Sequence, residues 1–274
     1  SNKLQINVKA NAAGETYITV LATDTEGKEG STEVRVYGVD PNNIALGKDA
    51  KVSSSESQSK SAGNALDGDP TTRWASDLGG ANGDATDQEW FVVDLGADYY
   101  IGTIRILWEN AYGKQYNLVY APESEKASTW DILTNDALES FSDDVWHTAK
   151  AVTDGDGETD EYSFSGEDLF LARYVGFRGV ERFNSEWGYS MYEFSVNAGE
   201  TPAYDVTIHV IDEEDNAING ATVNFNGEQK VTASDGLALF EQVEISDTPY
   251  DYSVTHDDYE DAAGTIVVDQ DKTV

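Results

Sequence analysis

The stretch Glu89-Trp90-Phe91-Val92-Val93-Asp94-Leu95-Gly96, followed by Ile101-Gly102-Thr103-Ile104-Arg105-Ile106-Leu107-Trp108-Glu109, decides the fold class. β-Branched and aromatic residues dominate both halves, the composition of a pleated, packed surface. Phe91, Val93 and Leu95 alternate with positions read as outward, which predicts a strand burying one face. Upstream, Ala65-Leu66-Asp67-Gly68-Asp69-Pro70-Thr71-Thr72-Arg73-Trp74 is an Asp-rich turn that delivers Trp74, and Trp74 and Trp90 are both read as core. Downstream, Ala172-Arg173-Tyr174-Val175-Gly176-Phe177-Arg178-Gly179 and Trp187-Gly188-Tyr189-Ser190-Met191-Tyr192-Glu193-Phe194-Ser195-Val196 supply two more strands. Arg105 and Arg173 fall inside strands and are read as paired structural charges. No long amphipathic helix is found, so the class is all-β.

Breaks at Asp40-Pro41-Asn42-Asn43 and at Asn197-Ala198-Gly199-Glu200-Thr201-Pro202-Ala203 divide the chain into residues 1–40, 42–198 and 203–274. The first part alternates over Leu4–Val8, Tyr17–Ala22 and Thr32–Tyr37, like the last strands of an immunoglobulin-like or cadherin-like module, but it is too short for a whole sandwich. The central part carries all six tryptophans and five of the six arginines. The last part holds 17 acidic residues against 2 basic ones, with five strand-like runs at regular spacing, and predicts a small β-sandwich.

The chain has 17 basic and 52 acidic residues, a formal charge of −35. Phosphate backbones and anionic lipid are repelled by such a surface, so neither nucleic acid nor membrane insertion is expected. Without cysteine there is no disulfide, thiolate metal site or cysteine nucleophile. No 18-residue apolar run exists to span a bilayer. Three histidines, and no metalloprotease, nucleophile-elbow or phosphate-loop motif, leave no basis for catalysis. With 52 acids, pairing carboxylates by sequence says nothing of glycosidase chemistry. The opening at Ser1, straight into strand-like sequence, is read as an excised piece of a larger chain.

The ordered set of central motifs resembles the discoidin, or coagulation factor V/VIII C-type, family, and within it the carbohydrate-binding modules of family 32. The resemblance covers about residues 42–198. It implies an eight-stranded jelly-roll sandwich (galactose-binding-like), with ligand loops gathered at one end and a structural Ca²⁺. Asp67-Gly68-Asp69 and Thr72 place two carboxylates and a hydroxyl in one turn, which could also be a plain Asx turn. The resemblance adds Asn64 and, from the closing strand, Glu193 as metal ligands. Residues 204–274 resemble the carboxypeptidase-regulatory-like, or transthyretin-like, fold, which implies a spacer.

Sugar needs an aromatic platform and a few fixed polar groups. Two constellations offer them: Trp108, Glu109 and Tyr112 after the second half of the opening strand, and Arg178, Arg182, Phe183, Asn184, Trp187 and Tyr189 in the loop before the last strand. For each of these a packing or salt-bridge role stands as the alternative. Trp130 and Trp146 are read as structural, and His147 as a surface histidine. The expected function is non-catalytic binding of a polysaccharide or oligosaccharide, β-glucan before galactose, by a secreted or cell-surface bacterial protein or a module of a larger glycan-degrading enzyme. Protein adhesion and a spacer role are the alternatives.

Overall fold

In the computed structural model, described for residues 14–23, 25–77, 87–135, 141–142, 144–246 and 248–274, every long element is a strand. The chain divides into two units, Ser1–Gly199 and Glu200–Val274. The expected strand at Leu4–Val8 lies outside the described residues.

The first unit begins with a hairpin. Strands β1 (Gly14–Thr23) and β2 (Glu29–Gly38) pair antiparallel from Gly14↔Gly38 to Thr23↔Glu29 and form a two-stranded sheet of their own. Eight strands follow: β3 (Asp49–Val52), β4 (Trp74–Ala75), β5 (Trp90–Trp108), β6 (Gly113–Ala121), β7 (His147–Val152), β8 (Thr159–Ser163), β9 (Leu171–Arg182) and β10 (Ser190–Ala198). This is the jelly-roll count expected from the sequence.

The 19-residue β5 belongs to both layers. Its first half pairs with β3 and β9, and its second half with β10 and β8. The register slips between Asp94 and Tyr99, where Gly96 adopts φ +91°. That left-handed angle suits glycine and lets one strand turn from one sheet into the other. The Asn43–Asn197 bridge, with Ile44 N–H donating to Val196 O at 2.8 Å, closes the domain beside its own beginning.

The main core lies between the layers and holds Trp74, Phe91, Val93, Leu95, Ile104, Ile106, Trp108, Tyr116, Phe177, Tyr189, Met191, Phe194 and Val196. Trp74, Phe91 and Phe194 form a chain of ring contacts at 5.4 Å each. The expectation of one buried face on the first half of β5 needs correction. Trp90 and Val92 are also buried, in a second core with Val119, Phe141, Trp146 and Tyr174. Trp130, Leu133, Phe141 and Trp146 lie over what would have been an outer face. Trp130 stacks on Tyr174 at 5.2 Å, and Trp146 on Phe141 at 5.3 Å, as structural residues. His147 is exposed beside Glu125.

Both strand arginines are paired. Arg105 lies 3.7 Å from Glu161. Arg173 forks onto both oxygens of Asp94, at 2.6 and 2.8 Å, and reaches Glu123. Burial opposes ionisation of Asp94, but Arg173 and the Gly96 amide outweigh it and hold the carboxyl below its ordinary range.

The second unit is a seven-stranded sandwich. One sheet is ordered β14 (Leu237–Glu244), β11 (Ala203–His209), β17 (Lys272–Thr273). The other is ordered β13 (Glu228–Val231), β12 (Thr222–Phe225), β15 (Tyr250–His256), β16 (Tyr259–Ile266). Val206, Ile208, Val223, Phe225, Phe240 and Val268 fill the space between them. The five strand-like runs of the sequence contribute to this interior, the last of them within β16 and just beyond its end at Ile266, and β13 and β17 are additional.

Candidate functional site

β4 and β10 build the first wall of the site. They pair through Trp74↔Met191 and Ala75↔Ser190, and the pairing continues as Ser76 N–H donates to Tyr189 O and Tyr189 N–H donates to the Ser76 hydroxyl, each at 2.8 Å. Gly188 makes this approach possible, because a Cβ there would stand 2.7 Å from the Ser76 carbonyl oxygen. The loop 183–189 is thereby drawn over the end of β4. Trp187, 42% exposed, stands at its tip.

Next to it is a recess of about 310 Å³ lined by Glu56, Arg73, Ser76, Glu109, Asn110 and Trp187. Arg73 is the hub. Its Nη1 donates to the Ser190 hydroxyl, which donates in turn to Trp74 O at 3.1 Å. Glu109 Oε2 lies 3.8 Å from Arg73 Nη1, and Glu56 Oε2 lies 4.0 Å from Arg73 Nη2. Glu109 also accepts from the Ala111 amide at 3.2 Å, which fixes its carboxylate at the rim. The result is one guanidinium between two carboxylates beside an exposed indole. Such a set offers donors and acceptors to hydroxyls, an apolar ring face, and a negative balance toward a cation.

The sequence-expected residues sort into three groups. Glu109 and Trp187 line this recess. Tyr112 and Phe183 stack on each other at 4.4 Å and line an adjoining recess, which Glu109 and Trp187 also border. The remaining five are held by packing or bracing contacts, although Tyr189 also borders the first recess and Trp108 the second. Trp108 is buried, and its indole N–H donates to Asp160 Oδ2 at 2.7 Å, so its ring is floor and not platform. Tyr189 is buried, stacked edge-on against Phe177, with its hydroxyl donating to Asp87 O at 2.8 Å; burial pushes its ionisation well up. Arg182 is buried and donates to Asp87 Oδ1 at 2.8 Å and to Trp187 O at 3.0 Å, so it braces the loop that carries the indole. Asn184 closes that loop, accepting from Trp187 N at 3.2 Å and from Glu186 N at 2.9 Å. Arg178 is buried in the second core, over the Phe141 ring. Its packing alternative is the one the geometry fits.

Glu56 and Arg73 were not expected. Arg73 lies inside the quoted motif, next to a core tryptophan, and Glu56 lies in a serine-rich stretch without any pattern. Only the pairing of β4 with β10 brings them to Trp187.

The second cluster surrounds the Asp67 turn. Gly68 takes φ +75°. Thr72 Oγ1 donates to Asp67 Oδ2 at 2.8 Å and lies 3.1 Å from Asp69 O and 3.3 Å from Asn64 O. The side chains of Asn64 and Asp69 turn elsewhere. Asn64 Nδ2 donates to Ser59 O and Arg73 O, and Asp69 Oδ1 accepts from Thr71. Their backbone carbonyls are the atoms facing Thr72. A register slip between Met191 and Glu193 in β10 re-aims Glu193 off the core alternation. Glu193 is 8% exposed, its Oε1 lacks a hydrogen-bond partner, and burial, then Asp67, pushes its pKa up to about 8. Among the described residues no group of three or more His, Cys, Asp and Glu side chains forms a metal cage. What converges here is an all-oxygen set of two carboxylates, two carbonyls and a hydroxyl, and an orphaned buried carboxylate oxygen is what a hard cation would satisfy.

Residues 64–177 match the profile of the F5/F8 type C class described as a NedA-like, galactose-binding domain. Chitosan-binding module 1 from the chitosanase/glucanase of Paenibacillus sp. IK-5 is 33% identical, over 57% of this chain and 98% of that module, with a TM-score of 0.45. Chitosan-binding module 2 of the same enzyme, solved with chitotriose, is 28% identical over 57% of this chain and all of that one (100%), with a TM-score of 0.46. CpGH89CBM32-4 of Clostridium perfringens, solved with glcNAc-alpha-1,4-galactose, is 15% identical over 56% and 91% of the two chains, with a TM-score of 0.39. No curated protein sequence matches.

Proposed function

We propose that this chain, whose residues 64–177 match the F5/F8 type C model of galactose-binding-like domains, binds a polysaccharide without turning it over, in the recess formed by Glu56, Arg73, Glu109 and Trp187. The observation that carries the reading is the exposed Trp187 indole standing beside a guanidinium already held between two carboxylates. A pyranose lays its C–H face on the indole, and the carboxylates and guanidinium take its hydroxyls.

The charge balance selects among sugars. Two carboxylates against one guanidinium, on a chain of charge −35, disfavour uronic acids and sulfated sugars and favour an amino sugar. We therefore place β-linked glucosamine polymers ahead of the neutral β-glucans that the family resemblance of the sequence suggested. Shallow, wet sites of this kind bind in the micromolar to millimolar range, so retention in a larger assembly comes from repetition of modules.

We also propose a Ca²⁺ held by the carbonyls of Asn64 and Asp69, the Asp67 and Glu193 carboxylates and Thr72. Its role is structural: it neutralises Glu193 and ties the turn before β4 to the closing strand β10. Export to the cell surface, a bacterial source and further domains of a longer chain fit this function.

Native affinity electrophoresis against chitosan, laminarin, mixed-linkage glucan, galactan, xylan and mannan tests the reading. Retardation by chitosan is expected to be the strongest. Retardation by none of them refutes carbohydrate binding and favours a protein ligand.

A further inference from the structure

The Trp187 side chain borders two recesses. The second holds about 380 Å³ and is bordered by Tyr112, Asp156, Glu158, Phe183 and Tyr192, while Glu109, Asn110 and Trp187 belong to both. Each lies near the low end of ligand-site volumes.

The second recess contains a prepared aromatic surface. Phe183 is 52% exposed, although large apolar side chains are usually covered. Its ring lies nearly parallel to Tyr112, at 4.4 Å and 17°, so Tyr112 covers one face and the other is open. The pair is held in place from below. Gly157, at φ +85°, lies so close under Tyr112 that a Cβ would come within 2.8 Å of the ring. Phe183 N–H donates to Tyr112 O at 3.1 Å, and Glu158 O accepts from Trp108 N–H at 2.8 Å. A rigid aromatic face costs little order on binding, which is what a sugar-stacking surface requires. A plug between two loops would not need half of Phe183 in solvent.

We propose that the Tyr112–Phe183 pair is a second sugar subsite, continuous with the first across Trp187, so that the chain recognises at least two successive units of a polymer and not a terminal sugar alone. The inference rests on the reading of the Glu56–Arg73–Glu109–Trp187 recess as a sugar site. One unit stacks on the Trp187 side, the next lies on the open face of Phe183, and Asp156 and Glu158 accept hydrogen bonds from its hydroxyl or amino groups.

Isothermal titration of the full chain with glucosamine and its oligomers from dimer to hexamer tests it. Affinity should rise about tenfold, equivalent to about 1.4 kcal/mol, between the monomer and the dimer. Phe183→Ala should remove that rise, whereas Glu109→Gln should weaken monomer and oligomers alike. A monomer-to-dimer rise that persists in Phe183→Ala overturns the second subsite, also when both affinities fall equally. Monomer affinity that withstands both Glu109→Gln and Trp187→Ala removes the first recess instead. Failure of the parent to bind glucosamine or any oligomer sinks both.

Discussion

Asp160 on β8 has no place in the sugar site, yet it determines whether the floor of that site holds. The carboxylate is buried, and one oxygen accepts both the Trp108 indole N–H, at 2.7 Å, and the Tyr116 hydroxyl. Asp160→Ala leaves the indole N–H with no acceptor inside the core, at a cost of about 1–3 kcal/mol. Tyr116 keeps the Tyr162 hydroxyl at 3.1 Å, so its loss is smaller, about 1 kcal/mol. The sum is about 2–4 kcal/mol, and at roughly 2–4 °C per kcal/mol for a domain of this size the melting temperature of the first unit should fall by roughly 5–15 °C. Asp160→Asn keeps one acceptor and should lose about half as much. Differential scanning calorimetry at pH 7 reads the effect on the transition of that unit. A fall of less than about 3 °C in Asp160→Ala would show that Trp108 is held by packing alone, and the argument from the buried acceptor would be wrong.

Trp187→Ala should abolish polysaccharide retardation while shifting the melting temperature by no more than about 1 °C, since the indole is partly in solvent and belongs to neither core cluster of the described residues; a large thermal loss would instead place the indole in the packing. A chelator should lower the melting temperature of the calcium-loaded protein: ion at 100-fold over its dissociation constant contributes about 2.7 kcal/mol, or roughly 5–10 °C. Glu193→Gln should make the protein indifferent to chelator, and a parent that is already indifferent has no such ion. Asp94 has a folded pKa below its unfolded one, so its stabilisation is complete above the unfolded value and is lost as pH falls through the folded value. The stability gap between the parent and Asp94→Asn should accordingly be constant near neutrality and close as the solution is acidified below about pH 4. A gap that widens on acidification contradicts the sign.

The class of the fold was legible because its signals are local. Period-two runs, turn glycines and the order of the tryptophan-bearing motifs all lie within short windows. The alternation in Phe91, Val93 and Leu95 was misread for a non-local reason: a strand with one covered face and a strand with two differ only in what folds over Trp90 and Val92 from forty residues away. The site divides in the same way. Trp187, Phe183, Tyr112 and Glu109 could be picked out by residue type in loops. Arg73 and Glu56 could not, because their partnership depends on β4 meeting β10. Arg182 and Arg178 show the converse failure. Both were expected in a loop and both lie in β9; a guanidinium in an acid-rich stretch has the same sequence signature whether it faces a ligand or, as here, braces a loop or packs in a core.

The bridge between Asn43 and Asn197 sets how the domain bears mechanical load. A pull between its two chain ends enters and leaves at neighbouring residues, so it strains the Ile44–Val196 and Asp40–Asn197 bonds one after another, as a zipper opens. A pull between bound glycan and chain takes a different route. Ser190 lies at the sugar end of β10 and Ala198 at the bridge end, about 26 Å apart at the usual rise per residue. That tension runs lengthwise along β10, and its bonds to β5 share it in shear. Tension applied at the proposed sugar end is therefore resisted more firmly than a pull that peels the domain apart by its own ends.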